Sequence, residues 1–290
     1  MRKVPVLNLF LFVITCFFVL LAGALMEGAN PFREFGSILA GLPFAFALML
    51  ILLGHELSHY VASMRHNVEA TLPYFIPVPP IPGMITIGTF GAFIKMRSPI
   101  VTRSALVDIG ASGPIVGFLF AVAASAYGLF HSSVQVADSG RPMLMLGDSL
   151  LFSALAHVIV GPVPEGMDIF LHPVAFAGWL GFFITSLNLI PVGQLDGGHI
   201  LYAFAGDRHL MASKVLVAVL AVMGLLYWHG WIIWAVLLLI LRLNHPPVIY
   251  WEKPLPRHRK IIGLIALVIF VLTFTPTPFA ITGMPVPPLP

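Results

Sequence analysis

Seven stretches of this sequence are apolar over lengths that approach or exceed a bilayer span, and this limits the fold before any single residue is considered. They cover residues 4–26, 37–64, 105–130, 174–190, 215–228, 231–243 and 261–275. A helix needs about 20 apolar residues to cross the hydrocarbon core. Inside lipid the chain must satisfy every backbone N–H and C=O itself, which leaves helices or a closed barrel. Barrel strands would alternate apolar and polar residues; these runs are continuously apolar and read as helices. Composition agrees: 59% of residues are hydrophobic and 9% charged, where a soluble domain carries about 25% charge. The expected fold is an all-α polytopic membrane protein of about six to seven transmembrane helices.

The first run follows Met1-Arg2-Lys3, as a signal peptide would. It is too long for a signal's apolar region and does not end in a small-x-small site, so it reads as a retained span. The fifth and sixth runs are short and separated by Gly230, which suggests a tight helical hairpin. Cys16 is the single cysteine; it excludes an intrachain disulfide and reads as a small residue within an apolar run.

Charge sets the expected orientation. With seven spans and a cytoplasmic N-terminus, 13 of the 15 basic residues fall inside, and only Arg33 and Arg141 fall outside. That follows the positive-inside rule. The net charge of +3 therefore calls for no nucleic-acid partner, and the chain reads as a multi-pass protein of the cell (inner) membrane. The outside loop, residues 131–173, carries Asp138, Asp148, Glu165 and Asp168; within it, residues 150–160 are apolar but too short to span, as an interfacial helix would be.

Residues 70–98 fit neither a span nor a free loop. A proline-rich stretch, residues 73–82, precedes a run from Met84 to Lys95 rich in strand-forming residues, with glycines that suggest bends or bulges. Such backbone is tolerated at membrane depth only if protein buries it or it lines water. A re-entrant β-hairpin-like segment beside a cavity is the expected form; an interfacial loop is the alternative. The tail, residues 276–290, holds six prolines and should be extended.

The second run contains Gly54-His55-Glu56-Leu57-Ser58-His59. Residues four apart share one helix face with Cβ atoms about 5–6 Å apart, so two imidazoles can meet one metal ion. Glu56, about 100° round the helix from His55, can reach the water that such a metal activates without being a ligand. This is how H-E-x-x-H helices work, with the glutamate as general base. Charge at the centre of an apolar helix costs about 2.5–3.5 kcal/mol on the insertion scale, a cost that a metal and a wet cavity reduce. The alternative is a helix end whose polar residues reach interfacial water.

A catalytic zinc needs a third protein ligand and an open position. The fourth run ends in Asn188-Leu-Ile-Pro191-Val-Gly-Gln-Leu195-Asp196-Gly197-Gly198-His199. Asp196 lies just past an apolar run, on the same expected face as His59, among residues that break helices. On local grounds it is equally a turn aspartate before Gly197. Asp108, near the inside end of the third run, reads as a helix-end or packing residue. His157 and His172 fall on the opposite side and read as interfacial; His199 is a candidate to support Asp196 from behind.

Together, His55-Glu-Leu-Ser-His59 and Asn188-Leu-Ile-Pro-x-x-x-Leu-Asp-Gly197 resemble the site-2 protease family of intramembrane zinc metalloproteases. Gly110-Ala-Ser-Gly113-Pro114-x-x-Gly117 is similar to that family's small-residue motif, and small residues let helices approach closely. The resemblance spans residues 36–202. It implies one zinc per chain held by His55, His59 and Asp196, Glu56 as catalytic base, Asn188 holding the substrate or its oxyanion, and the hairpin bordering substrate access. The proline-rich hairpin and Gly88-Thr-Phe-Gly91 look most like the bacterial, archaeal and plastid branch without PDZ or CBS domains, so regulation through such domains is not expected. The chain then reads as one membrane-embedded metalloprotease domain, residues 1–290, with a motif-bearing core at 36–202, further helices at 214–275 and the tail. The expected substrate is a transmembrane protein, with membrane lipid as the other partner. Oligomeric state is left open. Two rival functions use the same residues: a non-catalytic binder of membrane segments, which would not need Glu56, and a metal transporter, which needs a pathway open to both faces.

Overall fold

Helices form at all seven apolar runs, and caps and prolines set several of their starts. The structure, a computed structural model, describes residues 5–81, 86–136 and 143–282. Outside the described residues lie Val4 of the first expected span, the start of the strand-like run at Met84, Asp138 and Arg141, and the last part of the proline-rich tail. The helices are α1 (Val6–Met26), α2 (Leu42–Arg65, entered through a 3-10 turn at Phe35–Gly41), α3 (Arg103–Phe130), α4 (Leu150–Ile159), α5 (Pro173–Leu189), α6 (Asp196–Ala205), α7 (Arg208–Leu226), α8 (Gly230–Ile240) and α9 (Arg257–Thr273). Thr102 caps α3 by accepting from the Ala105 N–H at 3.1 Å, and Ser149 caps α4 in the same way. Pro43 and Pro173 stand in the first turns of α2 and α5, where a missing N–H costs nothing.

Among the described residues, four helical stretches are long and apolar enough to cross a membrane: Val6–Met26, Phe35–Arg65, Arg103–Phe130 and Arg208–Leu226. The helices α5, α8 and α9 are shorter, at 17, 11 and 17 residues. The chain is thus mostly helical and membrane-associated. The sequence expectation differs in one respect at the functional end. Gly197 and Gly198 do not end a helix; they lie in the first turn of α6, which Asp196 opens.

The centre of the molecule is α2, α3 and α5. On α3, Ala121, Ser125 and Gly128 recur every three to four residues and meet Gly181, Gly178 and Ala175 of α5. Their backbones approach so closely that a Cβ at Gly178 would lie 2.6 Å from the Ser125 amide nitrogen. Small residues drive helix association in lipid because the gain there is van der Waals contact rather than release of water. Around this seam Phe44, Leu48, Ile51, Trp179 and Phe182 are buried, whereas Leu9, Phe10, Val13, Leu225, Ile233 and Leu264 are exposed on α1, α7, α8 and α9. Outward-facing apolar side chains are what lipid contact requires.

Among the described residues, six short strands form three antiparallel ribbons. β1 (Tyr74–Pro77) pairs antiparallel with β2 (Thr89–Phe93), both within the segment expected to be hairpin-like. It lies along α1, where Asn8 donates to the Leu72 carbonyl at 2.8 Å and the Phe12 and Phe75 rings stand 5.2 Å apart. The other two ribbons were not expected: β3 (Ser133–Val136) with β5 (Met167–Phe170), and β4 (Met143–Leu146) with β6 (Phe279–Thr282). They build, with α4, a cap at the far end from the histidines, and they recruit the start of the proline-rich tail.

Two features tie down the other end. Asp108 of α3 accepts from Arg259 of α9 at 2.8–3.1 Å and pairs with His66, the C-cap of α2, at 2.8 Å. Second, the segment joining α8 to α9, residues 241–256, crosses over α6 as a strap. Its Val248 and Leu255 are buried against Leu106, Val107, Tyr202 and Ala203. The Tyr250 N–H donates to the Val101 carbonyl, and Arg103 lies 4.5 Å over the Trp251 ring.

Candidate metal centre

The H-E-x-x-H segment lies in the last three turns of α2, turned inward. His55, Glu56 and His59 are 4, 6 and 5% exposed, while Leu57 between them is 38% exposed. Helical periodicity does this: residues 55 and 59 share the face against α3, Glu56 lies about 100° round from His55 and is buried beside them, and 57 points away. The two imidazoles fit because α3 has no side chains there. A Cβ at Gly113 would overlap the His59 ring, and one at Gly117 would lie 3.1 Å from His55 Nδ1. The small-residue motif therefore shapes the site as well as helix contact.

Hydrogen bonds fix the ring of His59. Its Nδ1–H donates to the Ile109 carbonyl of α3 at 2.7 Å. With Nδ1 protonated, the neutral ring carries its lone pair on Nε2, the nitrogen that faces the site. Beside it, the Ser58 hydroxyl lies 2.7 and 2.9 Å from the His55 and Gly54 carbonyls of its own helix and 3.0 Å from the Ser112 carbonyl of α3, so its one proton has acceptors on both helices.

Asp196 arrives from far along the chain. The 189–195 turn carries it back beneath α2, and glycines make the approach possible. A Cβ at Gly197 would strike the Leu189 carbonyl, and one at Gly110 of α3 would lie 2.9 Å from the Asp196 carbonyl oxygen. Asp196 Oδ2 ends 3.2 Å from His59 Nε2 and 3.3 Å from His55 Nε2, and the two nitrogens are 3.1 Å apart. These three atoms form a nearly equilateral triangle. Four ligands at about 2.0–2.1 Å round a zinc ion have tetrahedral edges of about 3.3 Å, so the triangle fits one face of such a site. The donor set fits as well: two nitrogen lone pairs and a carboxylate oxygen repel one another at this separation unless a positive charge lies among them. His55, His59 and Asp196 could hold a metal ion.

Other candidates separate clearly. The Asn188 amide nitrogen, on the last turn of α5, lies 3.3 Å from His55 Nε2 and so belongs to the site's wall. Asp108 is engaged with Arg259 and His66 instead. His157 ends α4, and His172 caps α5 by accepting from the Val174 N–H at 3.2 Å, both in the cap. His199, one turn past Asp196, donates from Nδ1 to His245 Nε2 of the strap at 2.7 Å. Nothing in the sequence singled out His245; its only signal was a histidine on the expected inner face, 46 residues from its partner.

Comparison with known proteins agrees with this geometry. The sequence profile of Peptidase family M50 matches residues 43–229, more than half of the chain. Among curated proteins, the chain is 32% identical over 256 residues to "Probable zinc metalloprotease EGY1, chloroplastic" of Arabidopsis thaliana, covering 87% of this chain and 45% of the relative. It is 29% identical over 247 residues to "Probable zinc metalloprotease EGY2, chloroplastic" of the same plant, covering 84% and 43%. The EGY1 protein of Oryza sativa subsp. japonica is 28% identical over 256 residues, covering 87% and 42%. The chain thus spans less than half the length of these relatives.

Proposed function

The chain belongs to peptidase family M50, the family of site-2 proteases, and on that footing we propose that it is an intramembrane zinc metalloprotease that hydrolyses a peptide bond in or near a transmembrane segment of a membrane protein, in regulated proteolysis. One observation carries the reading: three ligand atoms within 4.8 Å of one another on buried residues, with a buried glutamate next in sequence to the first histidine. His55, His59 and Asp196 hold one zinc per chain, and zinc, when bound, supplies a Lewis acid that polarises the scissile carbonyl and acidifies water.

The chain's own residues do the rest. Glu56, beside the ligands but outside their triangle, takes the proton from the attacking water and delivers it to the leaving amine. Asn188, against His55, offers its amide to the substrate carbonyl as negative charge develops there. A substrate helix shields its peptide bonds with its own hydrogen bonds, so it must unwind first. The β1–β2 hairpin, in the re-entrant position, then offers strand edges to which an extended segment can pair. Charge places the N-terminus and the site's end of the helices on the cytoplasmic side, in the cell (inner) membrane. The single-domain reading and seven full crossings belong to the same proposal.

The test is Glu56→Gln, with Asp196→Ala beside it. Glu56→Gln keeps size and burial and removes the proton acceptor. It should fold and hold zinc, yet lose about 10²–10⁴-fold in cleavage of a transmembrane reporter in nanodiscs, the range general-base catalysis contributes. Asp196→Ala should lower zinc content. Wild-type cleavage by zinc-loaded Glu56→Gln excludes Glu56 as base; zinc-loaded native protein that cleaves no transmembrane reporter favours a binding-only relative.

A further inference from the structure

The family match ends at residue 229, yet the strap that follows α8 reaches back to the helix that bears Asp196. His245 is the point of contact. Its Nδ1 lies 2.7 Å from the Pro246 carbonyl, which can only accept, so Nδ1 carries the proton. His245 Nε2 is then an acceptor, and His199 Nδ1, 2.7 Å away, must donate to it. The chain of hydrogen bonds has one direction: His199 to His245 to the Pro246 carbonyl. Both rings stay neutral, because burial pushes His245 down to about 4 and burial, with His245 beside it, pushes His199 down to about 3.

The first turn of α6 needs such a hold. Its N-cap, Leu195, makes no side-chain cap hydrogen bond. The turn before it owes its path to Gly193, which has a φ of +58° and lies against the strap, where a Cβ would be 2.8 Å from the Arg242 carbonyl. Arg242 itself adopts a φ of +70°, unusual for a residue other than glycine. On the opposite side His199 Cβ lies against α3, where a Cβ at Gly110 would come within 3.1 Å. The His199 ring is thus gripped between α3 and the strap. His245 is held in turn by stacking on Tyr202 of α6, ring centres 4.2 Å apart at 13°.

We propose that His245 is a positioning residue of the metal site: by accepting from His199 it fixes the first turn of α6, and with it the Asp196 carboxylate, against His55 and His59. The proposal rests on the metalloprotease reading and adds to it a residue from outside the matched region. Changes in the groups that orient metal ligands typically cost 10–100-fold in metal affinity or activity.

The experiment uses the full chain in nanodiscs with His245→Ala, His245→Phe, His245→Gln, His199→Ala and the double variant His199→Ala/His245→Ala. Three readouts apply: zinc affinity by chelator competition, reporter cleavage, and hydrogen exchange of amides 196–205. His245→Phe keeps a ring against Tyr202 but accepts nothing; it should weaken zinc about 10-fold, lower kcat rather than raise KM, and speed exchange in α6. His245→Gln, whose amide oxygen can accept from His199, should recover most of the loss. The double variant should be no worse than His199→Ala alone, because the two act as one unit. Native zinc affinity and native α6 exchange in His245→Phe overturn the proposal. So do a Gln variant as impaired as Ala, and additive losses in the double variant. Absence of zinc from the native protein would instead overturn the metalloprotease reading, while the exchange readout still decides whether His245 fixes α6.

Discussion

Gly113 is as much a determinant of the site as the histidine it faces. Motif reading names His55 and His59 because they carry the chemistry, but two imidazoles can lie against a neighbouring helix only where that helix has no Cβ. Gly113→Ala places a methyl on the His59 ring. Overpacking of this kind costs about 1–3 kcal/mol, and here the ring that must move is a proposed ligand. We expect Gly113→Ala to lower both zinc content and thermal stability. Gly36→Ala, with nothing within 4 Å of its added methyl, should change neither. Metal analysis and thermal unfolding of the two variants check this, and a Gly113→Ala protein with full zinc would show that His59 has room to spare.

Among the elements, α3 decides most. It lends carbonyls to His59 and Ser58, its glycines to the rings of His55 and His59, and Asp108 to the joint between α2 and α9. Pro114 inside it removes the N–H that would otherwise serve the Gly110 carbonyl, loosening the helix beside the site. Asp108 accepts from both Nε and the terminal nitrogen of Arg259, a geometry that gives charge-assisted bonds their strength. Asp108→Asn keeps the shape and removes the charge. Hydrogen bonds to charged groups contribute about 1.5–3 kcal/mol, so the variant should unfold at lower temperature in detergent, with α9 amides exchanging faster. Zinc should stay bound, since Asp108 touches none of the three proposed ligands. Loss of zinc without loss of stability would contradict a purely mechanical role.

For the whole molecule, orientation is the property that the apolar runs alone leave undecided, and the charge bias is the sequence feature that bears on it. Under the proposed orientation, the 13-to-2 division of basic residues puts the strap, the Asp108 joint and the candidate metal centre at the cytoplasmic end, and the β-ribbon cap at the other. Reporter fusions after Arg103 and after Arg257 should both read cytoplasmic, and one after Glu165 should read outside. A cytoplasmic signal at Glu165 would put the cap and the site on the same face and overturn the seven-span arrangement. The cap also shows where a local reading failed. Strands β3 to β6 are four residues each, and β6 finds its partner β4 well over 100 residues earlier, a pairing that no periodicity announces.

The lipid surroundings, the helices and the H-E-x-x-H pair were legible without any tertiary contact, because apolar run length and i, i+4 spacing are local properties. The sequence by itself left Asp196 open between a ligand and a turn aspartate. Tertiary structure supplies the proximity the ligand reading needs: a carboxylate 137 residues from His59 comes within 3.2 Å of it because Gly110, Gly197 and the 189–195 turn let two backbones nearly touch. His245 and the two unexpected ribbons lay beyond sequence reasoning for the same reason. A hydrogen bond between histidines 46 residues apart leaves no periodic trace, since what brings them together is the burial of Val248 and Leu255 against α3 and α6 rather than anything in their own neighbourhood.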